Sequence, residues 1–307
     1  MKEERSYTTE EISKLLRVSK LTVYDLIKKG ELPAYQVGRQ MRIDAEDLEN
    51  YINQSKNKKA NHTYSSVKQK ENSIQNVIRI SGQDLVLDIL ANLLEVEGFK
   101  SLRDYSGSLN SLIAMYNGHC QIVSTHLFDG DTGEYNIPYI KRILTGRSYI
   151  VINLVSRWTG FYVSTGNPKK IKGWEDLDRK DVKIINREIG SGARVLLDEQ
   201  LRIHQMSPKQ IKGYDKEESN HISVATSVAQ GIADIGVGME KAASIVGVEF
   251  IPLIKESYDL VILKSEKQDS LIQTLLDILN SSEYINKLNA IKGYDTSKTG
   301  SIVFETE

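Results

Sequence analysis

The chain has 307 residues, 40% of them hydrophobic and 26% charged, with 40 Lys and Arg against 41 Asp and Glu. That length exceeds one usual domain, and the apolar content supports a sizeable core, so two or three domains are expected. A single cysteine, Cys120, excludes an internal disulfide framework or a CxxC zinc site; the opening MKEERSYTTEE lacks the apolar core of a secretory signal and no run reaches the roughly 18–20 residues of a membrane span, so a cytoplasmic protein without a membrane partner is expected.

Three regions separate by composition: residues 1–54, a polar linker over 55–75 with five lysines, and an α/β domain over 76–307. Thr8 and Glu11 have capping-box spacing, which predicts a helix from Thr9 with Ile12, Leu15 and Leu16 on its apolar face. After the short turn Arg17-Val18-Ser19, Ser19 can cap a second helix that Gly30 ends; its apolar positions are Leu21, Tyr24, Leu26 and Ile27, with Val23 between. Two short helices joined this tightly make a helix-turn-helix, whose second helix enters the DNA major groove. Gly38-Arg39-Gln40 lies between two extended stretches and reads as the tip of a β-hairpin wing, and Asp44 can cap a third helix. From Lys14 to Arg42 there are seven basic residues and two acids, a patch able to neutralise phosphates. The expected DNA contacts are Arg17, Ser19, Lys20, Thr22 and Lys28 around the helices, and Arg39 and Arg42 on the wing.

From Val77 onward short apolar runs alternate with amphipathic segments, the pattern of a largely parallel sheet with covering helices. Strands are expected at 77–80, 99–105, 121–127, 182–186 and 233–238, with a long helix from Ala193 to about Gln205. Three strand-to-helix junctions carry serine and glycine together: Ser81-Gly82, Ser106-Gly107-Ser108 and Gly190-Ser191-Gly192. A helix beginning leaves N–H groups unpaired and carries partial positive charge; glycine admits a ligand to the backbone and serine adds a donor. If the three turns converge, they form an anion site; taken singly, each is a cap and a tight turn. Arg194 sits in the first turn of its helix, where a cation opposes the dipole, so an acid or an anionic ligand must compensate it. Arg187 reads as a surface residue.

Two resemblances sharpen these expectations. The stretch YTTEEISKLLRVSKLTVYDLIKKGELPAYQVGRQMRIDAEDLENYI resembles the excisionase-type branch of the MerR-like winged helix-turn-helix family, which implies double-stranded DNA as a partner. Residues 77–303 resemble the periplasmic-binding-protein-like sensor domains fused to such heads, relatives of molybdate- and tungstate-binding proteins. The segments SGQDLVLDILANLLE, YSGSLNSLIAMYNG, STHLFDGDTGEYN, NREIGSGARVLLDE and TSVAQGIADIGVGMEKAA carry that likeness. It implies two lobes joined by crossing strands, at Tyr149–Ser156 and Tyr258–Lys264, with a ligand between them. It also implies ligand contacts at Ser81, Ser106, Ser108, Ser191, Val237 and Gly238, to which Thr125, Arg194 and Tyr258 are added.

The expected protein is therefore an α/β two-lobed sensor behind a small winged helix-turn-helix. It would be a homodimeric transcription regulator without cofactor, metal or catalytic residues, answering to a small oxyanion such as molybdate or tungstate. Other classes stay open: an excisionase-like architectural protein that senses nothing, or an enzyme of the binding-protein fold. The histidines lack metal-ligand spacing, and His119 and Cys120, adjacent on an extended chain, point to opposite faces. Asp129, Asp131 and Glu134 lack the alternation of a calcium loop.

Overall fold

The computed structural model describes residues 6–16, 18–28, 32–38, 40–45, 47–48, 51, 77–265 and 268–307. The described residues divide into two compact units, one up to Tyr51 and one from Val77. The expected linker and two of the expected DNA contacts, Arg17 and Arg39, lie outside the described residues.

In the first unit, strand β1 (Ser6–Thr8) runs into helix α1 (Thr9–Leu16). The capping box forms as its spacing predicts: Thr8 N donates to Glu11 Oε2 at 2.8 Å and Glu11 N to Thr8 Oγ1 at 3.3 Å. Helix α2 (Lys20–Lys28) is capped by Ser19, whose Oγ accepts from Thr22 N at 3.1 Å. The wing pairs β2 (Tyr35–Val37) with β3 (Gln40–Asp44), and β1 adds a third strand that the sequence pattern does not signal. Ala45, Asp47, Leu48 and Tyr51 are helical. Ile12, Val23, Leu32, Ile43 and Leu48 make the core. Leu16, Leu26 and Ile27 pack against this core as expected, whereas Leu15 and Tyr24 are exposed.

The second unit has two lobes. In the first, β4 (Ile78–Ser81) lies parallel between β5 (Ser101–Asp104) and β6 (Ile122–Thr125). Helices α3 (Leu85–Val96), α4 (Ser108–Tyr116) and α5 (Ile137–Ile143) follow these strands in turn. The chain then crosses on β7 (Tyr149–Val163). The second lobe holds β8 (Ile184–Arg187), α6 (Gly192–Ile203), β9 (Glu217–Glu218), α7 (His221–Ala229), β10 (Ile235–Met239) and α8 (Glu240–Val246). Strand β11 (Glu249–Leu263) returns to the first lobe. There α9 (Asp269–Leu279) and α10 (Ser282–Asn289) pack, and β12 (Tyr294–Asp295) and β13 (Ile302–Glu305) pair with β7.

Strand order is β5-β4-β6-β11-β7-β10-β8-β9. Parallel triplets at either end flank an antiparallel pair of 15-residue strands common to both lobes. The sheet is thus mixed rather than largely parallel, and the crossing strands are longer than the expected Tyr149–Ser156 and Tyr258–Lys264. Helices cover both faces of each lobe, so β7 is buried on both sides. Ile150, Ile152 and Leu154 pack under α3, α9 and α10, while Tyr149 and Val151 face α4 and α5. Further along, Phe161 and Val163 meet α6 and Tyr162 meets α7 and α8.

Candidate ligand-binding cleft and DNA-binding face

All three serine–glycine junctions reach one cavity between the lobes. Its walls include Gly82 before α3, Ser106, Gly107 and Ser108 at the beginning of α4, and Ser191 and Gly192 at the beginning of α6. The room open to the centre of a water-sized sphere is about 20 Å3, enough for one or two waters and so for a ligand of few atoms. The glycines make this closeness possible. A Cβ on Gly107 would stand 2.7 Å from Gly190 O, and one on Gly192 would stand 2.5–2.7 Å from the His126 ring. The lobes also bond directly. Leu109 N donates to Gly190 O at 3.0 Å, Arg187 Nη2 to Gln83 Oε1 at 2.7 Å, and Gln83 Nε2 to Glu188 Oε1 at 3.2 Å.

Two buried guanidinium groups face the same cavity. Arg157, on the crossing strand β7, donates Nε to Glu256 Oε1 at 2.5 Å and Nη1 to Asp84, and lies 4.4 Å over the Tyr258 ring. Burial disfavours its charge, but Glu256 and Asp84 outweigh that and hold its pKa above the ordinary arginine value. Arg187 ends β8; its Nε and Nη2 go to Glu188. Arg157 Nη2 and Arg187 Nη1 have no hydrogen-bond partner among the described residues. The carboxylates are committed. Asp84 Oδ1 accepts from Val86 N and Tyr294 Oη, and Glu256 Oε2 lies 3.2 Å from His126 Nδ1. Burial pushes Glu256 up, but the charges of Arg157 and His126 beside it bring its pKa well below the usual carboxylate range. His221, also in the wall, is driven far below the ordinary histidine value by burial and then by Arg187 and Arg157, so its ring is neutral at pH 7.

Ser108 Oγ accepts from His126 N at 3.3 Å and Ser191 Oγ from Arg194 N at 3.3 Å, leaving both hydroxyl protons to point elsewhere. Helices α4 and α6 begin at Ser108 and Gly192, so their first N–H groups lack intrahelical acceptors. An anion entering here meets serine hydroxyls, first-turn amides and two uncommitted guanidinium nitrogens.

Of the expected ligand contacts, Ser106, Ser108, Ser191 and Tyr258 line the cavity, and Ser81, Thr125, Arg194, Val237 and Gly238 do not. Ser81 donates to Asp104 Oδ2 at 2.8 Å and Thr125 Oγ1 to Asn136 Oδ1 at 3.2 Å, both inside the first lobe. Arg194 is compensated by protein acids, Asp198 at 3.2 Å and Glu217 at 2.8 Å, and lies 4.2 Å over Tyr214. Val237 and Gly238 are tied into the ladder between β10 and β7. Arg187, taken for a surface residue, has a side chain only 2% exposed. Arg157, Arg187, His126 and His221 were missed because each reaches the cavity through sheet register or lobe contact. Cys120 is buried, and burial lifts its pKa to about 11, so its thiol stays protonated and a poor nucleophile.

On the head, Ser19, Lys20, Thr22 and Lys28 are exposed and Arg42 is half-buried. Lys20 Nζ lies 3.1 Å from Glu10 Oε2, an exposed pair that a phosphate can replace, and Arg42 Nη1 donates to Ser6 Oγ at 3.4 Å.

Residues 91–280 match the family described as PBP superfamily domain. The chain belongs to that family. Residues 6–56 match the family described as helix-turn-helix domain. The uncharacterized protein YvgK of Bacillus subtilis is 51% identical over 310 residues, covering 100% of both chains. A putative DNA-binding protein of Mycobacterium tuberculosis, Rv0500A, is 46% identical over 48 residues, 16% of this chain and 62% of that one. Among solved structures, a putative phosphate ABC transporter substrate-binding protein of Clostridium perfringens with bound phosphate superposes with a TM-score of 0.51 at 15% identity, covering 72% of this chain and 99% of that one. At that identity the likeness is one of fold. A PBP-superfamily domain behind a helix-turn-helix joins a ligand cleft to a DNA reader. No helix among the described residues is long and apolar enough to cross a membrane.

Proposed function

We propose that the protein is a one-component transcription regulator whose cleft takes a small, fully ionised oxyanion, molybdate or tungstate, and whose helix-turn-helix binds an operator as a homodimer. The observation that carries the reading is the meeting of two helix beginnings and two partly uncommitted guanidinium groups in one small cavity, where the neighbouring carboxylates are already bonded. Such a wall offers donors. A fully ionised oxyanion is satisfied by donors alone; hydrogen phosphate, the kind of anion suggested by the Clostridium perfringens protein, also needs an acceptor for its proton. For that the wall offers no free carboxylate but only imidazole nitrogen, as on the neutral ring of His221, whose Nδ1 has no partner among the described residues. The dimer follows from the usual match between protein two-folds and palindromic operators. With this wall the domain binds and releases its anion rather than transforming it.

The test is an electrophoretic shift on the DNA upstream of the gene, with and without molybdate, beside thermal melting of the full chain in molybdate, tungstate, sulfate and phosphate. An anion at about 100 times its Kd adds about 2.7 kcal/mol of stability. Melting that is flat across all four anions refutes the effector, and the absence of any DNA shift, both with and without molybdate, refutes the reader.

A further inference from the structure

His126 follows β6, and its ring lies in the cleft wall against Gly192 at the beginning of α6. Its two nitrogens are placed differently. Nδ1 lies 3.2 Å from Glu256 Oε2, and Glu256, against its burial, is held ionised by Arg157, so Nδ1 carries a proton and donates it there. Nε2 has no hydrogen-bond partner among the described residues and is not among the side-chain atoms closed to solvent. On a neutral ring this atom presents a lone pair; on a protonated ring it is a donor, like the serines, amides and guanidinium nitrogens of the same wall. Charge points the same way. Arg157 is bonded to Glu256 and Asp84, and Arg187 to Glu188, so this set stands one charge negative while His126 is neutral. The helix beginnings offset part of that, but an oxyanion with two charges deepens it. The other titratable rings nearby do not respond at neutral pH. Burial pushes up the Tyr258 phenol, whose ring centroid is 5.4 Å from that of His126, and His221 is held neutral by burial and by Arg187 and Arg157. Histidine ordinarily titrates near neutral pH, and among the described residues of the wall that leaves His126.

We propose that His126 is a further ligand residue that takes up a proton from solvent as the anion enters, so that Nε2–H bonds the oxyanion while Nδ1–H stays on Glu256. The proposal rests on the reading of the cleft as an oxyanion site and adds that proton and anion bind together. The sign follows from linkage. A fully ionised oxyanion binds the protonated ring better, so its Kd rises with pH, by up to about tenfold per unit, once the ring of the anion-free chain has lost its proton.

The test is titration calorimetry of the full chain with molybdate at pH 8, in two buffers of different ionisation enthalpy, which counts the protons taken up per anion. At least half a proton is expected for the wild type, with a Kd that rises at least tenfold from pH 7 to pH 9. His126→Gln keeps an amide donor but no titrating ring, and should bind more weakly, take up no proton and show a flat pH profile. Saturable wild-type binding without proton uptake overturns the proposal and leaves the oxyanion site standing. Equal uptake by a folded His126→Gln chain also overturns it, since the proton then goes elsewhere. If the variant does not bind, nitrogen-15 spectra of the imidazole rings decide. A ring that becomes an imidazolium on adding molybdate to the wild type at pH 8 supports the proposal, and rings that all stay as they were overturn it. Binding of no oxyanion at all removes both this proposal and the reading beneath it.

Discussion

At the scale of single residues, the cleft combines groups that need one another. Glu256 is ionised because Arg157 and His126 face it, and Arg157 can stay buried because Glu256 and Asp84 face it. Glu256→Gln leaves the guanidinium short of a charge partner and should cost about 3 kcal/mol at pH 7, measured by urea unfolding. Because the folded-state pKa of Glu256 is depressed, its contribution is fully present above about pH 4.5 and is lost as pH falls. The gap between wild type and variant should therefore narrow below that pH, by up to about 1.4 kcal/mol per unit. A gap that stays constant from pH 7 to pH 3.5 would exclude the ionised pair. Gly192→Ala tests a different dependence. Its methyl group would meet the His126 ring, which must leave Glu256 or crowd the cavity. Anion affinity read by melting shifts should fall at least tenfold, with a stability cost of about 1–3 kcal/mol.

At the scale of elements, local chemistry was legible and sheet register was not. The capping box at Thr8, the Ser19 cap and the three serine–glycine turns depend on neighbours within a few residues, and the structure has each where the spacing puts it. Arg157 lies mid-strand in Ser156-Arg157-Trp158-Thr159, with no signal of which face it takes. Only the pairing of β7 with β11, Arg157 opposite Glu256, turns it to the cleft. Arg194 shows the reverse error: the dipole argument correctly demanded compensation, and the compensating acids are four residues along the helix and on β9. Gly160 was readable in principle, since a glycine inside a strand often marks close approach of another backbone. Here a Cβ would stand 1.9 Å from Ile251 O, beside the register shift between Pro252 and Ile254. Gly160→Ala should destabilise by about 1–3 kcal/mol in urea unfolding, because backbone rather than a flexible side chain must move. An unchanged midpoint would mean that the crossing strands give way easily there.

At the scale of the whole molecule, the claim that the anion regulates DNA binding has a thermodynamic form that contacts alone do not supply. If the anion changes operator affinity by some factor, the operator must change anion affinity by the same factor, because both complete one cycle. The anion can do this only by binding one conformation of the chain better than another. In this structure the lobes are bonded directly, Arg187 and Glu188 to Gln83 and Leu109 to Gly190, so a conformation with the lobes apart would have to break these bonds. Gln83→Ala removes two such bonds, to Arg187 and to Glu188, and should favour separation of the lobes. The expected outcome is weaker binding of the proposed anion with a changed coupling factor. Titrating operator at zero and saturating molybdate, and molybdate with and without operator, measures the factor twice. The two values must agree for the wild type and again for Gln83→Ala. Agreement at a factor of one in both would mean that the chain binds its anion and its DNA independently, and the sensor would then report to something other than the head.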